Sequence, residues 1–445
     1  MHLFTSRVGR WPLALTLLAV AACADDQLST APRVTRPTRQ ALDGNVILVT
    51  SPSGASVPGS LPWAVNLATG TSVIQFDPSL AGATISLDAT LEAFAYITVE
   101  GPAGEGITIL AKPTAGRAFR LRQGGVLRNL TISGGTTSPG SAIWTQGPVL
   151  LEHTTVSNNH GDAAAIHGHD ITLVNSTVSG NSGGGPASGI SVASSGTLVL
   201  NNSTVADNDW GPGIGWQTSP GSPPLVTLRN SIVANNGSGS RNCDEWLQFD
   251  YQGMNISSDA TCGASAALLI ADPMLTGLAD NGGPTPTEGF APQSPALNAG
   301  VNCSVSDDQR YVARGTNCDI GAFEFTDFTA VTLTIDASAF TGAANGAATV
   351  TGTVRCSRAG DQFDVGVALQ QTQKVGKITT LVQGTGGTGI TCTTSAQPWS
   401  AVVTPVTGAF IAGTASAASS TNNVPVWVTP SSVSKAVKLV RPPRR

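Results

Sequence analysis

Four in-register copies of one pattern constrain what this chain can fold into: VLLEHTTV from Val149, ITLVNSTV from Ile171, LVLNNSTV from Leu198 and VTLRNSIV from Val226. Three residues past the last valine of each copy stands an asparagine: Asn159, Asn181, Asn208 and Asn236. These asparagines are 22, 27 and 28 residues apart, a period at which each repeat is one supersecondary coil stacked on the next. Alternation this strict, beside so much Gly, Ser, Thr and Asn, excludes a helical repeat. The pattern predicts an all-β chain whose body is a parallel β-helix.

Successive coils of such a solenoid lie about 4.8 Å apart, so each residue stacks on its equivalents above and below. Aliphatic positions then merge into files that fill the narrow interior. Val149, Ile171, Leu198 and Val226 form one, Leu151, Leu173, Leu200 and Leu228 a second, and Ile143, Ile166, Ile190 and Ile214 a third. Asparagine suits the bends because its amide donates and accepts along a stack and because its backbone tolerates left-handed conformations.

Charged residues are 11% of the chain, against roughly 25% in typical proteins, which favours an extracellular all-β protein. Arg7 and Arg10 precede an apolar run from Trp11 to Ala22, the pattern of a secretory signal too short to span a membrane. The run ends in Val20-Ala21-Ala22-Cys23, which resembles a bacterial lipobox and implies cleavage before Cys23 and lipidation of its thiol. Ordinary cleavage after Ala21 is the alternative. Ala24, where Asp is absent, points by resemblance to outer-membrane sorting, at the cell surface or, failing an anchor, to a secreted or periplasmic protein.

Six cysteines remain, an even number suited to an oxidising compartment. They fall into three local groups, so the expected bridges are Cys243 with Cys262, Cys303 with Cys318 and Cys356 with Cys392. Each would contribute roughly 3 kcal/mol by closing its loop. No CxxC pair points to a metal, and no cofactor is expected.

The expected organisation is a signal peptide at 1–22, a Pro-bearing tether at 23–44, a β-helix at 45–325 and a β-sandwich at 326–445. Ser60 as cap and Pro62 in the first turn predict a short helix that closes the N-terminal end. The stretch 237–325 loses the period and gains four cysteines and several prolines, which reads as a C-terminal cap. From 326 onward nine Lys or Arg face four Asp, whereas residues 23–325 carry twelve basic and 24 acidic residues. Nucleic acid is therefore not an expected partner of the main body.

Several segments resemble bacterial right-handed β-helix proteins of the choice-of-anchor Q type. They are Gln75 to Ile85, the Asn-Ser-Thr-Val repeats, Asn230 to Asn236, Ala271 to Leu275, Asp280 to Pro286, Ser294 to Leu297 and Cys318 to Glu324. The resemblance covers residues 45–325 and implies an exported, surface-associated right-handed β-helix with varied appendages and no known reaction. This chain departs from the family pattern at Pro62, where Arg is usual, at Glu288 for His, at Asn298 for Asp and at Tyr311 for Gly.

β-Helices host polysaccharide lyases and hydrolases, and hydrolysis needs two carboxylates about 5–9.5 Å apart, one kept protonated. Asp207 and Asp209, with Trp210 and Trp216 nearby to stack on sugars, form the candidate group; the competing expectation is that both aspartates flank Asn208 in a solvated bend. Trp144 is a further candidate ligand-binding residue. A lyase would want a basic proton acceptor, yet Lys112 is the only lysine from 71 to 300, and Arg117, Arg120, Arg122 and Arg128 lie far in sequence from the aspartates. His153, His160, His167 and His169 fall within 17 residues and are the candidate metal ligands. Their register places them at different corners of the coil.

The expected function is therefore non-catalytic: a lipid-anchored envelope protein whose β-helix serves adhesion or binds glycans or extracellular matrix, with the bilayer as partner through its acylated N-terminus. The alternatives are a polysaccharide lyase or glycoside hydrolase, and a structural spacer.

Overall fold

A computed structural model of the protein describes residues 45–216, 222–238, 241–326, 328–342, 346–425 and 428–441. The expected signal peptide, Cys23 and the expected tether lie outside the described residues. The chain is all-β, a right-handed parallel β-helix followed by a sandwich-like domain.

Three parallel strand stacks build the solenoid. One runs from Val46–Val49 through Val149–Glu152 to Gln248–Gln252, and another from Leu91–Ala93 through Ile143–Thr145 to Ile214–Trp216. The long strands Ile166–Val174 and Ile190–Asn201 bend through both, so the two stacks form one 13-stranded sheet. The third stack is a nine-stranded sheet from Thr84–Leu87 to Leu268–Ile270. Pairing follows the repeat register: Leu151 sits on Leu173, Leu173 on Leu200 and Leu200 on Leu228. These leucines and the isoleucine file Ile143, Ile166, Ile190 and Ile214 have no exposed surface.

The bends divide between two asparagine files the two properties expected of one. Asn129, Asn175, Asn202 and Asn230 adopt left-handed backbone, with φ of 57°, 45°, 46° and 44°, and His153 takes the same position at 50°. Asn159, Asn181, Asn208 and Asn236 instead turn their amides inward. Asn159 Nδ2 donates to Asn181 Oδ1 at 2.9 Å, Asn181 to Asn208 at 2.8 Å, Asn208 to Asn236 at 2.9 Å, and Asn236 to Asn242 at 3.1 Å. Each amide nitrogen of the first three also reaches two main-chain carbonyls, so these buried groups leave no polar atom idle. A parallel ladder runs through the hydroxyls, from Thr154 N to Ser176 Oγ, Ser176 N to Ser203 Oγ and Ser203 N to Ser231 Oγ.

At the N-terminal end the helix Leu61–Leu67 begins as its sequence predicts, with Ser60 Oγ accepting from Trp63 N at 3.3 Å and proline in the first turn. It buries Leu61, Ala64 and Val65 in the solenoid core. The far end differs from the expected cap. Residues 248–270 complete another coil, tied by the Cys243–Cys262 disulfide. The chain from 282 to 325 then runs back along the side of the solenoid as a strap over the left-handed bends.

Contacts along the strap fix its course. Tyr311 Oη donates to Asn129 Oδ1 at 2.7 Å, and Gln309 Nε2 to Thr155 Oγ1 at 2.8 Å. Gln309 Oε1 accepts from Thr177 at 2.7 Å, Asn202 Nδ2 donates to Asp319 O at 3.4 Å, and Asn230 Nδ2 to Val301 O at 3.0 Å. Gly106 allows the close approach at the strap's end, since a Cβ there would stand 2.3 Å from Pro284 O. The Cys303–Cys318 disulfide lies within this segment. Its Asp-Gln-Arg and Cys-Asp-Ile-Gly-Ala-Phe-Glu motifs form a buried ion network: Asp308 holds Arg310 at 2.7 Å, and Glu324 holds Arg314 at 3.0 Å. These motif residues fasten the strap.

From Thr329 to Val440 a second core forms around Trp399, Val365, Leu369 and Leu439, stapled by Cys356–Cys392. Its sheet closes on itself where Ser338–Thr341 pairs with Ala348–Cys356.

Truncating the interior and breaking the ladder should both be costly. Leu200→Ala is expected to lose roughly 2–5 kcal/mol in chemical denaturation. Asn208→Ala, which strands the Asn181 donors on one neighbouring coil and takes a donor from Asn236 Oδ1 on the other, should lose more than about 1 kcal/mol. A loss below 0.5 kcal/mol, about the size of a surface substitution, at both sites would contradict the register.

Candidate functional site

The expected pair Asp207 and Asp209 separates. Asp207 has left-handed backbone at φ 54°, so the aspartates on either side of the inward Asn208 diverge. Asp209 Oδ1 accepts from Trp210 N at 3.1 Å and from Ser238 Oγ at 2.7 Å. Asp207 turns instead to the strap and hydrogen-bonds with Glu288.

Glu288, on the strand Thr287–Phe290, is 1% exposed, with Oε1 accepting from Ser179 Oγ at 2.5 Å. Its Oε2 is buried and has no donor. A proton on Glu288 turns that carboxyl into a donor for the neighbouring Asp207, in keeping with its raised pKa. Burial pushes Glu288 up to about 7, with the charge of Asp207 adding to the rise against the Ser179 hydrogen bond. Burial raises Asp207 too, opposed by hydrogen bonds from Asn235 and Glu288. Asp319 in the same strap is likewise pushed up to about 7, by burial and by Glu324. The sequence marks Glu288 only as a departure from the family pattern, because its partner lies far along the chain.

The four histidines do not converge. His153 is buried and stacks on Tyr311 with ring centroids 4.1 Å apart, its Nδ1 3.2 Å from Gln309 O. Desolvation depresses its pKa. His160 meets Ser182 Oγ at 2.8 Å, His167 meets Ser191 Oγ at 3.3 Å, and His169 meets Asp170 at 3.1 Å. Among the described residues no three His, Cys, Asp or Glu side chains gather as a metal site.

The tryptophans differ as sharply. Trp216 packs against the solenoid core and donates to Ser194 Oγ at 3.2 Å. Trp210 is 73% exposed beside Asp209 and stands in left-handed backbone. Trp144 lies in the outward file of the sheet, where register stacks Glu92, Arg120, Trp144, His167 and Ser191 on consecutive coils. The Arg120 and Arg122 guanidinium carbons stand 5.2 and 5.6 Å from its ring centroid, within cation–π range. Glu92 holds Arg122 at 2.6 Å but is 3.9 Å from Arg120. The result is an aromatic platform with excess positive charge on an otherwise acidic body. Sequence reasoning set these arginines aside as remote from the aspartates. The signal for them was the coil-length spacing of Arg120, Trp144 and His167, 24 and 23 residues apart.

Residues 98–261 match the family of the right handed beta helix region. Among curated proteins nothing matches the chain. Of solved structures, the tailspike protein of Acinetobacter phage vB_ApiP_P1 is similar at 13% identity and a TM-score of 0.29, over 88% of each chain. Chitinase ChiW from Paenibacillus sp. str. FPU-7 is similar at 10% identity and a TM-score of 0.16, over 88% of this chain and 23% of that one.

The strap carboxyls predict an unusual pH dependence. A raised carboxyl pKa contributes stability that is full below the unfolded value and lost as pH rises through the folded one. For Glu288 that window runs from 4.5 to about 7, with a loss on the order of 3 kcal/mol. The melting temperature should fall from pH 5 to pH 8, and fall less in Glu288→Gln. Equal slopes for variant and wild type would remove the shared proton from the account.

Proposed function

We propose that this protein is an exported, lipid-anchored surface protein that binds glycans through the outward face of its β-helix, without catalysis, in adhesion to a saccharide-rich surface or matrix. The observation that carries the reading is Trp144, a half-buried aromatic ring with the Arg120 and Arg122 guanidinium groups over it on an outward-facing sheet file. A flat ring offers a sugar its apolar face, and flanking guanidinium groups supply donors for hydroxyls and acids. Three disulfides fit an oxidising, extracytoplasmic location. The lipobox-like Val20-Ala21-Ala22-Cys23 and the resemblance to the choice-of-anchor Q type support an anchor at Cys23. The division into signal at 1–22, tether at 23–44, β-helix at 45–325 and C-terminal domain at 326–445 follows from the same reading. In it, the tether holds the solenoid off the outer membrane.

The non-catalytic part rests on the Asp207–Glu288 contact, which uses the carboxyls to fasten the strap. A glycan array probed with the purified protein should show saccharide binding, and Trp144→Ala should weaken it about tenfold, as loss of an aromatic anchor does. Asp207→Asn/Glu288→Gln should leave binding intact, and wild type should release no sugar from pectin or alginate. Binding that ignores Trp144, or turnover that vanishes in the double variant, would overturn the reading. For the anchor, Cys23→Ser should abolish incorporation of labelled palmitate; equal labelling of variant and wild type would sink it.

A further inference from the structure

Resting on the glycan-binding reading and deepening it, we infer that the Trp144 platform is a site for an acidic saccharide, whose carboxylate or sulfate is received by Arg117 together with Arg120. Arg117 is the observation that points past a neutral sugar. Two residues before the paired positions Phe119 and Ile143 stand Arg117 and Ser141 on adjacent coils. Arg117 is only 5% exposed, Ser141 not at all, and each has a buried polar atom without a partner: Arg117 Nη1 and Ser141 Oγ. Arg120 adds a third, its Nε.

The protein neutralises Arg122 and Arg128 nearby. Arg128 is clamped between Glu100 at 3.2 Å and Glu152 at 2.8 Å. Arg122 has Glu92 at 2.6 Å and Gln146 at 3.4 Å. Arg117 has no carboxylate within ion-pair distance among the described residues, and its own pKa is depressed, first by burial and then by the charge of Arg120. The same charge of Arg117 helps to hold His167 neutral, after burial, which is the larger cause. A buried guanidinium beside the charge of Arg120 is costly. An oxyanion on these orphaned N–H groups would remove that cost and gain charge-assisted, bidentate hydrogen bonds. The sugar ring carrying it would then lie along the file toward Trp144. A neutral glycan would leave Arg117 uncompensated.

The full chain should be titrated by calorimetry with polygalacturonate, dextran sulfate, fully methyl-esterified polygalacturonate and dextran, together with Arg117→Met, Trp144→Ala and the control Arg229→Met. At least one of the two acidic polymers should bind at least tenfold more tightly than both neutral ones, and which of them does identifies the oxyanion. Arg117→Met should lose that preference at least tenfold while melting no lower than wild type, since it removes an unpaired buried charge. Arg229→Met should leave binding unchanged. Equal binding of acidic and neutral polymers, with Arg117→Met unaffected and Trp144→Ala impaired, would overturn the acidic-saccharide site and leave the glycan reading standing. Binding of none of the polymers would overturn this inference, and if the glycan array were also blank, the reading beneath it. A lowered melting temperature in Arg117→Met would make the residue a structural one and equally overturn the inference.

Discussion

Everything in this protein depends on one constraint: each coil must satisfy its buried polar groups on the coil above and the coil below. The amide ladder from Asn159 to Asn242 is the clearest expression of it, because each side chain both donates and accepts at the coil spacing. A slip of one residue in any strand would break the ladder and turn the leucine files outward together. That double penalty makes the register unique. It also converts residues a coil apart in sequence into neighbours in space, which is how Arg120 comes to lie beside Trp144.

The strap is the second level of the same logic. Left-handed bends at Asn129, His153, Asn175, Asn202 and Asn230 leave polar side chains and carbonyls along one edge. Residues 282–325 cover that edge, and their buried ions and hydrogen bonds are met by it: Tyr311 on His153, Gln309 on Thr177, Glu288 on Ser179. Breaking one member of such a buried network typically costs about 3–5 kcal/mol. The acidic motif residues of the strap are thus consumed in fastening it. The outward file at Arg120 and Trp144 takes no part in that network.

The solenoid was legible in the sequence because its repeats are local and periodic: Leu151, Leu173 and Leu200 announce their own register. The capping helix was equally plain, since Ser60 and Pro62 act within one turn. What escaped reading acts across long separations. Glu288 and Asp207 meet only because the chain reverses along the solenoid, and no period encodes that reversal. The division between the two asparagine files also stayed hidden, because composition does not tell whether an asparagine lends its backbone or its amide. Arg117 stands outside any file, and only its burial without a partner marks it.

The most direct test is a crystal structure of the protein with an acidic oligosaccharide bound. It should place a sugar oxyanion within hydrogen-bond distance of Arg117 or Arg120 and a sugar ring along Trp144, with the coil register and the strap unchanged. A saccharide bound elsewhere, at Trp210 or on the C-terminal domain, with Arg117 still buried and unpaired, would contradict the account.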